Sequence, residues 1–332
     1  MAHILILGGT AWLGRTIAAQ ALAAGHSVTA LARGESGEFP EGAAAVVVDR
    51  DGANPYAAVA GREWDVVVEL TWRPAHAGAA AAAVLARNWV FVSSCSVYAD
   101  HSVPDAREDA ALLAPLGAAA EYAPELYGEA KSGCEKLVME ARGGKALLVR
   151  PGLIGGPGDP SGRSTYWPLR LADPRQRVLV PDGDGPAYRQ HVQIVDVRDL
   201  AAFILTAGLA GRADAVNAMG LAIPLVDALA AAREAAQTNN QLVQYPLSRM
   251  EDDAVAPWSG PRSLPLVLPM EPDYAGFARR SDALAVEWGL VRRPLAETFA
   301  DIIADDEPWA GRQLASGLSA ADEAALIRGL SG

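Results

Sequence analysis

The sequence predicts an α/β fold built on a doubly wound parallel sheet. Strand-forming runs alternate with helical runs through the first half of the chain, which is the order that parallel βαβ units require. Runs such as 4–7 and 66–68 are apolar at every position, as is typical of strands that are covered on both faces. A glycine-rich turn follows the first of these runs.

The elements of the first half follow from apolar spacing and from the turn residues between them. The expected strands are 3–7, 27–31, 45–48, 65–70, 89–93 and 146–149. The expected helices are 12–24, 75–87 and 124–142.

The turn after the first strand has the context of a dinucleotide-binding fingerprint. Gly8 and Gly9 follow the strand and Gly14 falls inside the next helix. Glycines let the backbone approach a pyrophosphate, and the helix start at Ala11, Trp12 and Leu13 supplies donors and partial positive charge. The alternative is a tight turn without a ligand. Ala11 replaces the expected middle glycine, so the pyrophosphate is expected to sit slightly displaced.

The end of the second strand bears on the choice of cofactor. NAD-binding folds carry an acidic residue about 20 positions after the glycines, but here Ala32 is followed by Arg33. The planar guanidinium of Arg33 can bind a 2′-phosphate, so we expect NADP in preference to NAD. The alternative is that Arg33 is a solvated loop charge. Asp49, after the third strand, is equally open to two interpretations, a contact with the adenine amine or a turn residue.

A candidate acid–base pair lies on the third expected helix. Tyr127 and Lys131 are four residues apart and therefore share one face. A phenol has a pKa of about 10, and an adjacent ammonium favours the phenolate. Ser94, at the end of a strand, could hold a substrate oxygen against Tyr127 during hydride transfer. On its own, a Tyr and a Lys at this spacing often occur by chance.

Four segments in a fixed order resemble the extended branch of the short-chain dehydrogenase/reductase family, the NAD-dependent epimerase/dehydratase group. They are GGTAWLG at 8–14, SSCSVY at 93–98, YGEAK at 127–131 and RPG at 150–152. The resemblance implies a catalytic triad of Ser94, Tyr127 and Lys131, with Lys131 also binding the nicotinamide ribose. The resemblance also implies cofactor contacts along the sheet edge, at Gly8, Thr10, Ala11, Trp12, Leu13, Gly14, Leu70 and Pro151. More narrowly, the chain resembles bacterial members loosely described as reductases.

The expected fold class is thus a doubly wound parallel Rossmann sheet with a smaller, sequence-interleaved α/β substrate domain at the C-terminal edge of the strands. Residues 1–152 are expected to form the dinucleotide-binding Rossmann domain. Residues 153–332 are expected to be mainly the substrate-binding domain, beginning with the irregular loop 155–160, with 190–217 returning to the Rossmann sheet.

Two departures from the family pattern bear on the reaction. Sugar-nucleotide epimerases carry Asn and Tyr where this chain has Leu153 and Gly155, and loss of the amide removes two donors and an acceptor. Dehydratases place acidic residues where Cys95 and Ser96 stand. We therefore expect an NAD(P)-dependent oxidoreductase that reduces a carbonyl or oxidises a secondary alcohol of a small molecule. The alternatives are an NAD-dependent epimerase acting on a nucleotide sugar and a non-catalytic cofactor-sensing or RNA-binding relative.

Aromatic residues are candidates for the substrate pocket. Trp72 follows the fourth strand and could wall the pocket beside the nicotinamide. Tyr166, Trp167 and Trp258 could supply a flat apolar surface for an aromatic substrate, with core packing as the alternative.

Composition limits the partners. A net charge of −12 argues against nucleic acid, whose binding depends on Lys and Arg contacts to phosphate. The start of the chain lacks a signal-peptide pattern and the longest apolar run is too short for a membrane span, so we expect a cytoplasmic protein that binds no membrane. The five histidines lack metal-ligand spacing, so no metal is expected. The expected partners are a small-molecule substrate and, from the resemblance, a second copy in a homodimer.

Overall fold

A computed structural model describes residues 1–174, 177–182, 190–311 and 313–330. In this part of the chain the strands run in sequence order from β1 to β14. They are β1 His3–Leu7, β2 Ser27–Ala32, β3 Ala44–Val47, β4 Glu63–Glu69, β5 Leu85–Val92, β6 Leu147–Pro151, β7 Leu153–Gly155, β8 Arg177–Pro181, β9 His191–Asp196, β10 Asp214–Ala218, β11 Ala222–Pro224, β12 Gln241–Tyr245, β13 Ala256–Trp258 and β14 Ser263–Pro265.

The α-helices of the same residues are numbered in the same way. They are α1 Trp12–Ala23, α2 Ala57–Ala60, α3 Pro74–Ala83, α4 Tyr127–Ala141, α5 Tyr166–Ala172, α6 Val197–Leu209, α7 Leu225–Ala236, α8 Ala283–Glu287, α9 Leu295–Asp305 and α10 Ala320–Gly329. Short 3₁₀ turns at Cys95–Val97 and Pro124–Leu126 precede the site residues of α4.

The central sheet has seven strands in the order β10-β6-β5-β4-β1-β2-β3, and its neighbouring strands pair in parallel. Alternate residues of each strand enter opposite cores. Ile4 and Ile6 pack with α1 and α6, whereas Leu5 and Leu7 pack in the cluster that contains α3 and α4 residues. Burial of both faces explains the continuous apolar runs and confirms the doubly wound sheet.

One predicted helix boundary is wrong. The helix expected over 75–87 spans Pro74–Ala83, and Leu85 begins β5. The alanine-rich run continues the helical pattern, but β4 already begins at Glu63, which is opposite Leu85 in the parallel register. Pairing along β4 therefore determines where the helix ends.

The second half adds a smaller layer with its own core. Strand β9 was expected to return to the main sheet, but it pairs with β7 and β11 in a separate three-stranded sheet. The physical reason is that β6 is already flanked by β5 and β10, so the main sheet offers no free edge there. The next two elements do return, since α6 packs on the main sheet and β10 pairs with β6.

The residues at or just after the carboxyl ends of β1, β4, β5 and β6 line one cavity together with residues of the smaller layer. Ligands of open α/β sheets bind at this edge. Among the described residues, no helix has both the length and the apolarity to cross a membrane.

Candidate functional site

The turn after β1 leaves no room for side chains at its glycines. Gly8 has φ +98°, and its N–H donates to the carbonyl of Leu31 at 2.8 Å. A Cβ on Gly9 would lie 2.6 Å from the Cβ of Ala30, and one on Gly14 would lie 2.5 Å from the carbonyl oxygen of Gly8. The loop is therefore pressed against β2 and α1, and its backbone is the surface that a ligand would meet.

Helix α1 presents unpaired backbone donors at this turn. Its N-cap residue is Ala11, which makes no side-chain cap hydrogen bond, while the N–H of Ala11 donates to the carbonyl of Gly8 at 3.1 Å. The first N–H groups of a helix have no acceptor within it. Arg15 donates to the carbonyl of buried Thr10 at 2.6 Å and fixes the loop from the other side. This helix start fits a pyrophosphate group.

A cavity of about 240 Å³, here called the outer cavity, lies beside this turn. Five predicted cofactor residues line it: Gly8, Thr10, Ala11, Arg33 and Asp49.

Two charged side chains of the outer cavity have partners in the chain itself. Arg33 is 55% exposed and forms an ion pair with Glu35 at 2.9 Å. Asp49 accepts the N–H of Asp51 at 3.0 Å, so it is a turn residue that also lines the cavity.

A larger cavity of about 590 Å³, here called the catalytic cavity, lies along the ends of β4, β5 and β6. It brings together eight predicted site residues: Ala11, Trp12, Leu13, Leu70, Ser94, Tyr127, Lys131 and Pro151. Gly14 lines neither cavity and instead packs under the turn, where its Cα hydrogens take the place of a side chain.

Ser94 is positioned by the short 3₁₀ turn after β5. Its Oγ accepts the N–H of Ser96 at 3.1 Å and donates to the Ser96 hydroxyl at 3.1 Å. Burial raises the pKa of Tyr127 to about 12, and a side-chain hydrogen bond with Ser94 acts in the opposite direction. At neutral pH the Tyr127 hydroxyl is therefore a protonated phenol that can donate to an oxygen in the cavity.

Lys131 does not contact the phenol in the way that the helical spacing suggested. Its Nζ donates to the carbonyls of Thr71 at 2.8 Å and Val92 at 2.7 Å, and it lies 6.0 Å from the centre of the Tyr127 ring. Burial lowers the pKa of Lys131 to about 8. An ammonium has three donors, so one N–H is left for a ligand in the cavity.

A buried ion pair holds one of these carbonyls in place. Glu69, at the end of β4, accepts two hydrogen bonds from Arg50 and also accepts the N–H of Thr71 at 2.9 Å. The ion pair raises the pKa of Arg50 although burial opposes this. Glu69 is not among the predicted site residues, and its only signal in the sequence is a carboxylate directly after the apolar run 66–68.

A loop of the smaller layer closes on the glycine turn. The indole Nε1 of Trp12 donates to the carbonyl of Pro157 at 2.9 Å. The N–H of Gly158 donates to Asp306 at 3.1 Å, which ties this loop to the end of α9. The catalytic cavity is therefore bounded by both halves of the chain.

The predicted aromatic residues separate in the structure. Tyr166 and Trp167 are fully buried in the core of the smaller layer, so core packing is the correct interpretation for both. Trp258 lines the catalytic cavity. Trp72 lines the outer cavity and not the catalytic cavity, and its ring centre lies 3.8 Å from that of Tyr122.

Two charged residues that line the catalytic cavity, Asp159 and Arg163, were missed. Arg163 lines this cavity near Trp258 and Phe277. It follows the irregular loop 155–160, and no motif singles it out in the sequence.

The family comparison agrees with this geometry. Residues 57–218 match the model described as the NAD dependent epimerase/dehydratase family. The matched residues make up just under half of the chain, and over them the chain is similar to this family. The match agrees with the NAD-dependent enzyme type that the sequence resemblance implies. A comparison with curated proteins found no match.

Solved structures with the same fold include three sugar-nucleotide epimerases. The UDP-Glc/GlcNAc 4-epimerase of Campylobacter jejuni is 13% identical, with 92% of this chain and 98% of that chain covered and a TM-score of 0.66. The UDP-N-acetylglucosamine 4-epimerase of Bacillus cereus is 16% identical, with 93% and 99% covered and a TM-score of 0.63. The UDP-glucuronic acid 4-epimerase of Bacillus cereus, solved in complex with NAD, is 13% identical, with 91% and 98% covered and a TM-score of 0.62. At these identities the similarity shows the fold.

Proposed function

We propose that the protein is an NADP-preferring oxidoreductase that reduces a carbonyl, or oxidises a secondary alcohol, of a small molecule. The observation that carries the proposal is the protonated phenol of Tyr127, which shares one cavity with Ser94, Lys131 and the helix start of the glycine turn. A proton donor at neutral pH suits carbonyl reduction, because the carbonyl oxygen must gain a proton as its carbon gains a hydride.

The residues fit a nicotinamide dinucleotide. The glycine turn and the first N–H groups of α1 would hold the pyrophosphate, and the spare N–H of Lys131 would hold the nicotinamide ribose. When bound, this cofactor supplies or accepts the hydride.

The chain's own side chains would handle the proton. Ser94 would hold the substrate oxygen, and Tyr127 would donate its hydroxyl proton to that oxygen during reduction. Oxidation reverses the transfer and requires the phenolate. The raised pKa of Tyr127 therefore suits the direction of reduction, in which the phenol is the proton donor.

The NADP preference rests on Arg33 in the outer cavity. Its guanidinium can pair with a 2′-phosphate through charge-assisted hydrogen bonds. Glu35 competes for the same guanidinium, but the pair is exposed, and exposed pairs contribute at most about 1 kcal/mol.

A nucleotide-sugar epimerase is the second candidate, and the three similar structures favour it. The position after β6 weighs against it. Leu153 places an apolar side chain in the catalytic cavity where the family resemblance implies an amide.

The test follows nicotinamide absorbance with NADPH and NADH against aromatic and aliphatic carbonyls, with nucleotide sugars assayed separately. We expect carbonyl-dependent NADPH oxidation. Tyr127→Phe should lower turnover by at least ~10²-fold while retaining cofactor binding. Tyr122→Phe is the matched control, because Tyr122 stacks on Trp72 outside the catalytic cavity.

Two results would contradict the proposal. Retained turnover in Tyr127→Phe would remove this hydroxyl from the mechanism. Interconversion of a nucleotide sugar without net absorbance change, together with silence across the carbonyls, would identify an epimerase.

A further inference from the structure

The catalytic cavity contains a guanidinium that the proposed reaction does not use. Arg163 lies on its wall with Trp258, Phe277 and Tyr127. Among the described residues it forms no ion pair, and its one side-chain hydrogen bond runs from Nε to the Ser161 hydroxyl at 3.0 Å. Its two terminal nitrogens therefore remain for a ligand.

The carboxylate that supports the charge of Arg163 already accepts hydrogen bonds from other groups. Asp159 accepts hydrogen bonds on Oδ1 from Ser161 at 2.8 and 2.7 Å, and on Oδ2 from Ser164 at 3.0 and 2.8 Å. It acts on Arg163 only at longer range, where it supports the positive charge against a burial that lowers the pKa of Arg163. A positive charge that has no ion-pair partner within the described chain favours an anionic ligand in a half-buried cavity.

The side chain that covers the guanidinium is held at a conformational cost. The Arg163 guanidinium lies 5.1 Å from the Trp258 ring, which is edge-on to Phe277 at 5.4 Å. Trp258 has φ +68°, and the N–H of Ser259 donates to the carbonyl of Pro257 at 2.8 Å around it. Three-residue turns of this kind are rare and strained, and such strain is concentrated at ligand sites.

We propose that Arg163 binds the carboxylate of the substrate, and that the substrate class is an oxo carboxylate or hydroxy carboxylate whose apolar part packs on Trp258 and Phe277. This inference rests on the proposed oxidoreductase function. The two terminal nitrogens of Arg163 can donate two parallel hydrogen bonds to the two oxygens of a carboxylate. Because only one guanidinium is present and the charge of Asp159 is near it, the site suits a monoanion better than a dianion.

The position of the site relative to Tyr127 fits the reaction. Burial raises the pKa of Tyr127 and the charge of Arg163 opposes this rise, so the two groups act on one another across the cavity. In reduction, a bound NADPH would supply the hydride with its two electrons to the carbonyl carbon and leave as NADP⁺. Tyr127 would give its proton to the oxygen and regain one from water, so that a hydroxy carboxylate results. The carboxylate itself is unchanged and serves to orient the carbonyl.

The test measures binding and does not depend on turnover. Calorimetry at pH 7 on the NADP⁺-saturated protein compares 3-phenylpropanoate with its neutral amide. We expect the acid to bind roughly 10- to 100-fold more tightly, as for a charge-assisted hydrogen bond. Arg163→Gln should abolish this preference and Arg163→Lys should retain part of it. Arg328→Gln, an exposed arginine on α10, is the charge-matched control and should keep the full preference.

Several outcomes would overturn the inference. Equal affinity for acid and amide in the parent protein, or no binding of either, removes the carboxylate site. Loss of NADP⁺ affinity in both Arg163 variants would assign the residue to the cofactor or to folding, and tighter Arg163-dependent binding of UDP would assign it to a nucleotide.

The experiments distinguish failure of the proposed reductase function from failure of the proposed anion site. An Arg163-dependent preference for the acid without any carbonyl reduction would retain the anion site and reject the reductase. Reduction of neutral carbonyls without that preference would retain the reductase and reject the anion site.

Discussion

Lys131 gives the most specific prediction, because its charge is lost just above neutral pH. Burial lowers its pKa from 10.5 to about 8, a fall that corresponds to about 3 kcal/mol against the charged form. If the charged form holds the cofactor, the NADPH affinity should fall up to about tenfold per pH unit above pH 8. Lys131→Met should bind NADPH more weakly and show no such pH dependence.

The stability of the free protein should change in the opposite direction. Between pH 8 and 10.5 the unfolded chain keeps the Lys131 proton that the folded chain has lost. The free energy of unfolding therefore rises with pH, by at most about 1.4 kcal/mol per pH unit from this group. The contribution should be absent in Lys131→Met.

The assay is a fluorescence titration with NADPH from pH 7 to 9.5, with urea unfolding at the same pH values. Lys136→Met is the control, because Lys136 lies on the exposed side of the same helix and pairs with Glu140 at 3.9 Å. A flat NADPH affinity across this range, or the same fall in Lys131→Met, would refute the assigned role of the ammonium.

Three further changes test the surrounding structure. Arg33→Ala should weaken NADPH roughly 10- to 100-fold and NADH much less, measured by equilibrium titration; equal weakening would place the 2′-phosphate elsewhere. Glu135→Ala should lower the free energy of unfolding, measured in urea, by about 3–5 kcal/mol. The reason is that buried Arg150, which pairs with Glu135 at 2.8 Å, would lose its counter-charge. A change below about 1 kcal/mol would show that water replaces the ion pair. Gly14→Ala should weaken both cofactors to a similar degree, since its Cβ would meet a backbone carbonyl at 2.5 Å, and unchanged titrations would show that the turn can shift without loss.

The fold was predictable where burial acts locally. Strands that are covered on both faces appear in the sequence as continuous apolar runs. The helices between them follow from apolar residues at helical spacing. The two wrong predictions concern features that depend on which strands pair with each other. The end of α3 depends on the pairing of Leu85 with Glu63, and the place of β9 depends on which edge of β6 remains free. Neither relation is encoded in the neighbouring residues.

In the candidate site, too, some features were predictable from the sequence and others depended on the folded structure. The motifs predicted which residues would meet in the catalytic cavity, because the carboxyl ends of parallel strands share one edge. They did not predict the orientation of Lys131. A spacing of four residues places Lys131 on the same helix face as Tyr127. Its ammonium nevertheless donates to the carbonyls of Thr71 and Val92, which lie at or just after the ends of two different strands.

The charges of the cavity indicate where substrate selection arises. Tyr127 is neutral at pH 7, and two of the three donors of Lys131 are used by the carbonyls of Thr71 and Val92. Arg163 is the cavity cation that keeps two nitrogens free within the described chain, and it comes from a loop outside the recognised motifs. Under the proposed function, the motifs would supply hydride and proton transfer, whereas Arg163, which only the folded chain brings to Tyr127, would select the charge of the substrate.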